Sequence, residues 1–231
     1  RTNYCRNEKI MHQYDLAIYG HITVDRIINN FKEEVSLGAI ANFWSALNKI
    51  RSSIKFKLVP CAIGEAVIVI NEKTSQRFGR GNLNLETVEP SVVNAEWHHV
   101  MYLNQLKNKD FIRDLDGIIS ADLTAGKMDV LDDLAYIDYL FLSEEDLFMD
   151  LNELANIVKG CVILHYPSGS ICADGKTQIE CKTEVKKNIN VLGAGDTFAA
   201  CFISNMLKNN DIESSLKYAH DKTLKVLLDE N

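Results

Sequence analysis

The stretch "GAGDTFAA" (193–200) places three small residues before one acid, Asp196, and then before a helical pattern. Gly193 and Gly195 let the backbone approach an anion closely, and the start of a helix favours negative charge. A carboxylate beside such an anion makes chemical sense if it accepts a proton from a hydroxyl that attacks a phosphate. An acid near a helix N-terminus is also favoured for structural reasons alone. On this stretch alone, a simple turn and an anion site with a catalytic base both stay open.

The composition limits the class of protein. The chain has 231 residues, of which 46% are hydrophobic, so it can bury a core without disulfides. The net charge of −7 argues against a general nucleic-acid or anionic-membrane binder. Six cysteines without CxxC or zinc-type spacing predict free thiols in a reducing compartment. With no signal peptide or long apolar run in the sequence, we expect a cytoplasmic protein with neither nucleic-acid nor membrane partners.

Apolar strands alternate with helical patterns along most of the chain. This alternation predicts parallel βαβ units with helices on both faces of the sheet. The segment 66–80 does not fit the alternation, and we expect it to form a small β lid. Strands are predicted at 14–28 with a turn at Gly20, 54–64, 66–70, 96–103, 117–123, 136–143, 161–166 and within 170–185, and helices at 39–50, 106–114, 150–160, 194–208 and 211–229.

The stretch 193–200 is similar to the C-terminal signature of the ribokinase-like, PfkB-type carbohydrate kinase family. Four further pieces resemble the family in the same order: "YDLAIYGHITVD" (14–25), "LGAIAN" (37–42), "IISADL" (118–123) and "FLSEEDL" (141–147). The match covers nearly the whole chain. The resemblance implies one ribokinase-like domain over 1–231, an α/β three-layer sandwich with a mostly parallel sheet and a small β lid.

The resemblance also implies a reaction, the transfer of the γ-phosphoryl group of ATP to a hydroxyl of a sugar or sugar derivative. Asp196 is then the general base. The backbone amides of Gly193, Ala194 and Gly195 would stabilise charge that develops on the phosphoryl group.

The resemblance further implies that Asp25, Gly38 and Asn42 hold the acceptor, since an ionised carboxylate can accept from two hydroxyls. Mg²⁺ would accompany ATP, with Glu145 as its ligand through water. The plainer alternatives are a solvated turn residue for Asp25 and an ordinary helix-start acid for Glu145.

Four residues depart from the family pattern. Leu37 replaces the first glycine of the substrate motif, so its side chain would narrow the pocket or change how the backbone meets the sugar. Ser143 stands where the family has Asn, and His165 replaces a glycine of the nucleotide segment. Asn190 offers no charge for a monovalent cation.

These departures keep two alternatives open. One is a nucleoside or hydroxymethyl-pyrimidine kinase on the same fold, which an aromatic sandwich around the acceptor would favour. The other is a degenerate member that binds a ligand without phosphorylating it.

The chain is short for the family, and the shortfall falls at the junction of Gly64 and Glu65. Either a strand–helix unit is deleted there or a segment is missing from the sequence. A deletion would expose apolar sheet surface at a cost in free energy, so we favour a missing segment. Since family lids often contribute to dimers, we also expect the lid at 66–80 to form a homodimer interface.

Overall fold

The structure has a central sheet and a β lid. Two strands of 16 residues, β1 (Tyr14–Asn29) and β3 (Phe56–Asn71), run through both. The computed structural model describes residues 12–29, 32–71, 76–80, 84–186, 189 and 191–229, so Asn190 lies outside the described residues. The two strands pair in parallel from Leu16 and Phe56 onward. Their first halves belong to the central sheet, and their second halves belong to the lid.

The central sheet continues from β1 through β6 (Ala95–Val100), β7 (Ile118–Asp122), β8 (Tyr139–Ser143) and β9 (Cys161–Tyr166). Its six inner strands run in the order β9-β8-β7-β6-β1-β3, and all neighbours in this order are parallel. Antiparallel β10 (Gly169–Ala173) and β11 (Gln178–Lys182) complete one edge. This arrangement confirms the predicted mostly parallel sheet.

Helices cover both faces of this sheet, as predicted. On one face, α1 (Ile40–Lys49), α4 (Ala194–Asn209) and α5 (Ile212–Asp229) enclose a core around Phe43 and Phe202. On the other face, α2 (Leu131–Leu134), α3 (Leu151–Ile157) and the 3-10 turns Leu103–Gln105 and Asp110–Asp114 enclose a second core. None of the helices in the described ranges has the length and apolarity needed to cross a bilayer.

The lid is a β layer on the second halves of β1 and β3. Strand β2 (Lys32–Ala39) pairs antiparallel with β1, while β4 (Gln76–Arg80) and β5 (Asn84–Thr87) pair antiparallel with β3. The lid therefore includes β2 and β5, which lie outside the predicted segment 66–80.

Three local predictions were wrong. Strand β1 passes through Gly20 without a turn, and only its pairing with β3 shifts register there. A Cβ at Gly20 would lie 2.8 Å from Ile40 Cγ2, so close packing on α1 explains the glycine. The segments 54–64 and 66–70 form one strand, β3, and the expected helix at 106–114 consists of a 3-10 turn, Asp110–Asp114, after an irregular stretch.

Gly64 and Glu65 lie inside β3, where they pair with Thr23 and Val24 of β1 and with Leu85 and Asn84 of β5. A missing segment at this junction stays a prediction. The intact mass of the protein isolated from its natural source would test it.

Candidate active site

Asp196 lies in the first turn of α4 and is 5% exposed. The helix begins after Gly193, which adopts a left-handed conformation with φ 74°. Helix geometry leaves the N–H groups of Gly195 and Asp196 without an intrahelical acceptor. The amide of Ala194 donates to the carbonyl of Val191 over 3.0 Å, and its role beside a phosphoryl group stays a prediction.

Two side chains from other elements donate to the Asp196 carboxylate. Asn42, in the first turn of α1, places Nδ2 2.9 Å from Oδ2 of Asp196. The hydroxyl of Tyr102, just beyond β6, lies 2.9 Å from Oδ1 and 3.0 Å from Oδ2. The structure therefore brings Asn42 and Asp196 together from positions 154 residues apart in the chain.

Asp25 and Gly38 form a second contact pair on the inner face of the lid. Asp25 is 8% exposed, and a Cβ built on Gly38 would overlap its carboxylate. A side chain at position 38 would therefore displace Asp25. Leu37, one residue earlier, lies on the opposite face beside Val24 and is 54% exposed, so the idea that its side chain narrows the pocket was wrong.

The junction of β2 and α1 connects the pair of Asp25 and Gly38 to the pair of Asn42 and Asp196. Strand β2 ends at Ala39, whose φ of 55° is rare for a residue with a side chain, and α1 begins at Ile40. Gly38 and Asn42 thus lie on either side of one sharp turn. Through this turn, the contact of Gly38 with Asp25 positions the start of the helix that carries Asn42.

Tyr102 was not among the residues predicted from the sequence. Its backbone is left-handed, with φ 51° and ψ 50°, and its N–H donates to the carboxylate of Asp122. The sequence pattern at 96–103 predicted a strand, in which Tyr102 would simply alternate sides. No local residue type marks the left-handed turn, because it depends on an acceptor from the neighbouring strand β7.

Asp122 is held in turn by a buried polar chain. Its Oδ2 lies 3.6 Å from Nε2 of His99, a side chain that is fully buried. Nδ1 of His99 lies 2.9 Å from Ser120 Oγ, which accepts from the Trp97 indole over 2.7 Å. The Ser120 hydroxyl also lies within 3.4 Å of the His98 carbonyl, to which it can donate.

His165 lies beside the start of α4. Its Nε2 is 3.4 Å from the position of a Cβ on Gly195, and its ring is 5.4 Å from that of Phe198. Burial, followed by the proximity of His220, lowers the pKa of His165 to about 4. His165 is therefore a neutral group at neutral pH, where the family has a glycine.

A groove of about 510 Å³ lies between β11 and α5, with Lys182, Lys217 and His220 among its lining residues. The His220 ring is 4.9 Å from Phe198, which is two residues beyond Asp196. The groove and the candidate base thus adjoin through α4.

Glu145 lies in the exposed 3-10 turn Glu144–Asp146, directly after β8. The last residue of β8, Ser143, pairs with His165, so this turn lies at the same edge of the sheet as Gly195. Asp146 accepts from Ser143 Oγ over 2.7 Å. Within the described ranges, no group of three or more His, Cys, Asp or Glu could form a metal cage.

Comparison with known proteins places this architecture among kinases. The model of the "pfkB family carbohydrate kinase" matches residues 90–221. No curated protein gives a significant match. Solved structures of several kinases share the fold.

A probable sugar kinase from Rhizobium etli CFN 42 has a TM-score of 0.73 at 14% identity, covering 94% of each chain. The adenosine kinase from Sinorhizobium meliloti has a TM-score of 0.72 at 15% identity, covering 93% of this chain and 94% of that one. A pyrophosphate-dependent kinase of the ribokinase family, complexed with a pyrophosphate analog and myo-inositol, has a TM-score of 0.65 at 18% identity, covering 92% and 95%.

The fold and the family match define a phosphotransferase that acts on sugar hydroxyls. The family model covers more than half of the chain, and the chain belongs to the PfkB family of carbohydrate kinases.

Proposed function

We propose that this protein transfers the γ-phosphoryl group of ATP to a hydroxyl of a sugar or sugar derivative, with Asp196 as the general base. The observation that carries the proposal is the carboxylate of Asp196, which is buried at the start of α4 and oriented by Asn42 and Tyr102. A carboxylate in this place can take the proton of an attacking hydroxyl while the helix N-terminus stabilises the phosphoryl group.

The acceptor would bind between the two contact pairs. Asp25 offers a carboxylate that can accept from two neighbouring hydroxyls, and the amide of Asn42 offers a donor and an acceptor. Gly38 leaves room for the Asp25 carboxylate itself, which lies where a side chain at position 38 would have to be. This polar set favours a polyol, and hence a sugar or sugar derivative.

A nucleoside or hydroxymethyl-pyrimidine acceptor is the second candidate, because aromatic rings lie near the base. The rings of His21 and Tyr102 are 5.3 Å apart, and a planar heterocycle stacks well on such groups. A degenerate, non-catalytic member is the third candidate, but the oriented carboxylate of Asp196 argues against it.

The donor is assigned from the size of the groove beside α4. At about 510 Å³ it has room for a nucleoside. Its lining holds Lys182 and Lys217 and also four acids, Glu180, Asp211, Glu213 and Asp221, so its size and not its charge supports a nucleotide. Pyrophosphate, the donor of several structural neighbours, needs no groove of this size.

Mg²⁺ would bind through the phosphates of the donor and through water to Glu145. Magnesium keeps several waters and takes one or two carboxylates plus phosphates, so a protein cage is not required. Glu145 is exposed and lies at the same edge of the sheet as Gly195 of α4, which fits this kind of site.

The lid would provide a homodimer interface. Its outer face carries four exposed apolar side chains, and such a cluster is typical of an interaction surface. They are Val24, Val35, Leu37 and Ile63. We further propose that the protein acts in the cytoplasm, where ATP and its acceptors are present.

An acceptor screen tests the function. Sugars, aminated sugars and nucleosides are incubated with the protein, Mg²⁺ and either ATP or pyrophosphate, and transfer is measured as phosphorylated product. We expect ATP-dependent transfer to one sugar-like acceptor. Transfer from pyrophosphate alone would replace the donor assignment, and binding of an acceptor without transfer from either donor would favour the degenerate member.

A further inference from the structure

The hydroxyl of Tyr102 lies where the hydroxyl of an acceptor would have to bind. It is nearly equidistant from the two oxygens of Asp196, at 2.9 Å and 3.0 Å, and so lies in front of the carboxylate. A general base takes its proton from a group within about 2.6–3.2 Å. An acceptor hydroxyl and the Tyr102 hydroxyl therefore compete for one position on the base.

The surroundings of Tyr102 hold it in this position. Its left-handed backbone is unfavourable for a residue with a Cβ, and such a conformation persists only where neighbouring groups stabilise it. The carboxylate of Asp122, 7% exposed, accepts the Tyr102 N–H, and the ring of His21 packs against the Tyr102 ring. The backbone is thus anchored, while rotation of the side chain can move the hydroxyl.

Asn42, the second donor to Asp196, limits the directions from which a hydroxyl can approach the carboxylate. Asn42 Nδ2 already occupies Oδ2 from the side of α1, at 2.9 Å. A hydroxyl that approaches the front of the carboxylate, between its two oxygens, then competes with Tyr102 for that place. This competition applies equally to the hydroxyl of an acceptor and to water.

We propose that Tyr102 occupies the acceptor position on Asp196 until an acceptor displaces it, and thereby keeps water from being phosphorylated. This inference rests on the proposed kinase function. A polyol gains further hydrogen bonds at Asp25 when it binds, and this gain offsets the loss of the Tyr102 contact. Water has no second anchor and cannot displace the phenol as readily.

The reaction that Tyr102 suppresses is hydrolysis of the donor. The oxygen of a water molecule would form a bond to the terminal phosphorus of ATP, and the bond from that phosphorus to the bridging oxygen would break. The proton of the water would pass to the carboxylate of Asp196. The products would be ADP and inorganic phosphate.

The variant Tyr102→Phe keeps the ring that packs on His21 and removes only the hydroxyl. We expect ATP hydrolysis without acceptor to rise roughly tenfold or more, since a positioned base becomes accessible to water. The KM of the acceptor should fall by roughly threefold or more, because no internal group competes with it.

Two controls isolate the effect. Tyr139→Phe removes a phenolic hydroxyl from a ring that stacks on Trp97 at 5.1 Å, and hydrolysis should stay at the wild-type rate. Asp196→Asn in the Tyr102→Phe background should abolish the additional hydrolysis. If Tyr102→Phe unfolds early, Asp122→Asn weakens the anchor of the Tyr102 backbone and should raise hydrolysis to a smaller extent.

Unchanged hydrolysis and unchanged KM in a Tyr102→Phe protein whose wild type phosphorylates an acceptor would overturn this inference and leave the proposed function intact. A large loss of kcat at constant KM would also overturn it, since Tyr102 would then only orient the base. Failure of the wild type to phosphorylate any acceptor would refute the proposed function itself, and this inference with it.

Discussion

Asp196 combines shielding from solvent with donors that orient its two oxygens. It is 5% exposed, and Asn42 and Tyr102 reach it from α1 and from the end of β6. A carboxylate held in this way has its acceptor orbitals directed before a substrate arrives, which is the kind of preorganisation that catalysis needs. The same shielding distinguishes Asp196 from an acid at a solvated helix start.

The variant Asp196→Asn should lower kcat by about 10²–10⁴-fold, because an amide of the same size cannot take a proton at neutral pH. Acceptor and ATP affinities should change little, since the carbonyl oxygen of the amide can still accept from Tyr102. Steady-state turnover and separate ATP titrations measure the two effects.

The matched control is Asp150→Asn. Asp150 caps α3 on the other face of the sheet and accepts from the amides of Asn152 and Glu153, so it is also an acid at a helix start. Its replacement should leave stability nearly unchanged, since Asn caps a helix about as well as Asp, and should leave kcat unchanged. Turnover near the wild-type rate in Asp196→Asn would contradict the role of Asp196 as base.

Gly38→Ala should disrupt acceptor binding. The new Cβ would overlap the Asp25 carboxylate, so either Asp25 or the end of β2 must move. We expect the KM of the acceptor to rise roughly tenfold or more and the free energy of unfolding to fall by about 1–3 kcal/mol. Ser36→Ala is the control, since Ser36 pairs directly with Asp25 and its replacement adds no atoms. Equal KM values in all three proteins would contradict the contact.

Residues with a distinctive local pattern could be predicted from the sequence, and residues defined by long-range contacts could not. The glycines around Asp196 and the spacing of Gly38 and Asn42 are visible in short stretches. Tyr102 has no such pattern, because its left-handed backbone depends on Asp122 in another strand. The bond from Ala194 to Val191 was missed for a similar reason, since a turn conformation decides which amides are occupied.

At the scale of elements, the apolar pattern predicted α1, α4 and α5 well, because α1 and α5 each have one face on a core and α4 is buried on all sides from Asp196 to Met206. It predicted a turn at Gly20 where β1 is continuous, since a glycine needed for close packing resembles a glycine needed for a turn. The expected helix at 106–114 is irregular, because apolar spacing alone does not require a regular helix. Its apolar residues Phe111 and Ile112 fill a core without a regular helix around them.

The outer face of the lid carries a cluster of exposed apolar side chains. Val35 is 67% exposed in β2, beside Leu37, Val24 and Ile63. If this face joins two copies, Val35→Glu should convert a dimer into a monomer in light scattering at micromolar concentrations, since a buried carboxylate without a partner is strongly unfavourable. The control is Val92→Glu, the same change at a valine outside the lid that is 48% exposed. A monomeric wild type would contradict the lid interface.

At the scale of the molecule, the sheet separates two cores with different tasks. The core with α2 and α3 contains aliphatic side chains and the stacked rings of Tyr19 and Phe111, and it lies away from Asp196. The core with α1, α4 and α5 holds Phe43, Phe198 and Phe202 and supports Asn42 and Asp196 directly. Changes in the core with α1, α4 and α5 should therefore affect activity and stability together.

Three histidines, of which His98 is buried and His165 and His220 are half-buried, make the stability of the whole fold depend on pH. Burial lowers the pKa of His98 and His220, and it lowers the pKa of His165 from 6.5 to about 4. In the unfolded chain these groups bind protons near pH 6.5, while the folded protein keeps His165 neutral down to about pH 4. Stability from this source is fully present above pH 6.5 and is lost as the pH falls towards 4.

His165→Asn should reduce this loss. Thermal unfolding at about pH 8 measures the packing effect of the substitution, because His165 is neutral there in both folded and unfolded chains. The further loss of Tm between about pH 8 and pH 5 then isolates protonation, and it should be smaller in His165→Asn than in wild type. His98→Asn lies on the other core and should reduce the loss independently, so the double variant should show the sum. Identical pH dependence in wild type and His165→Asn would contradict the neutral state of His165.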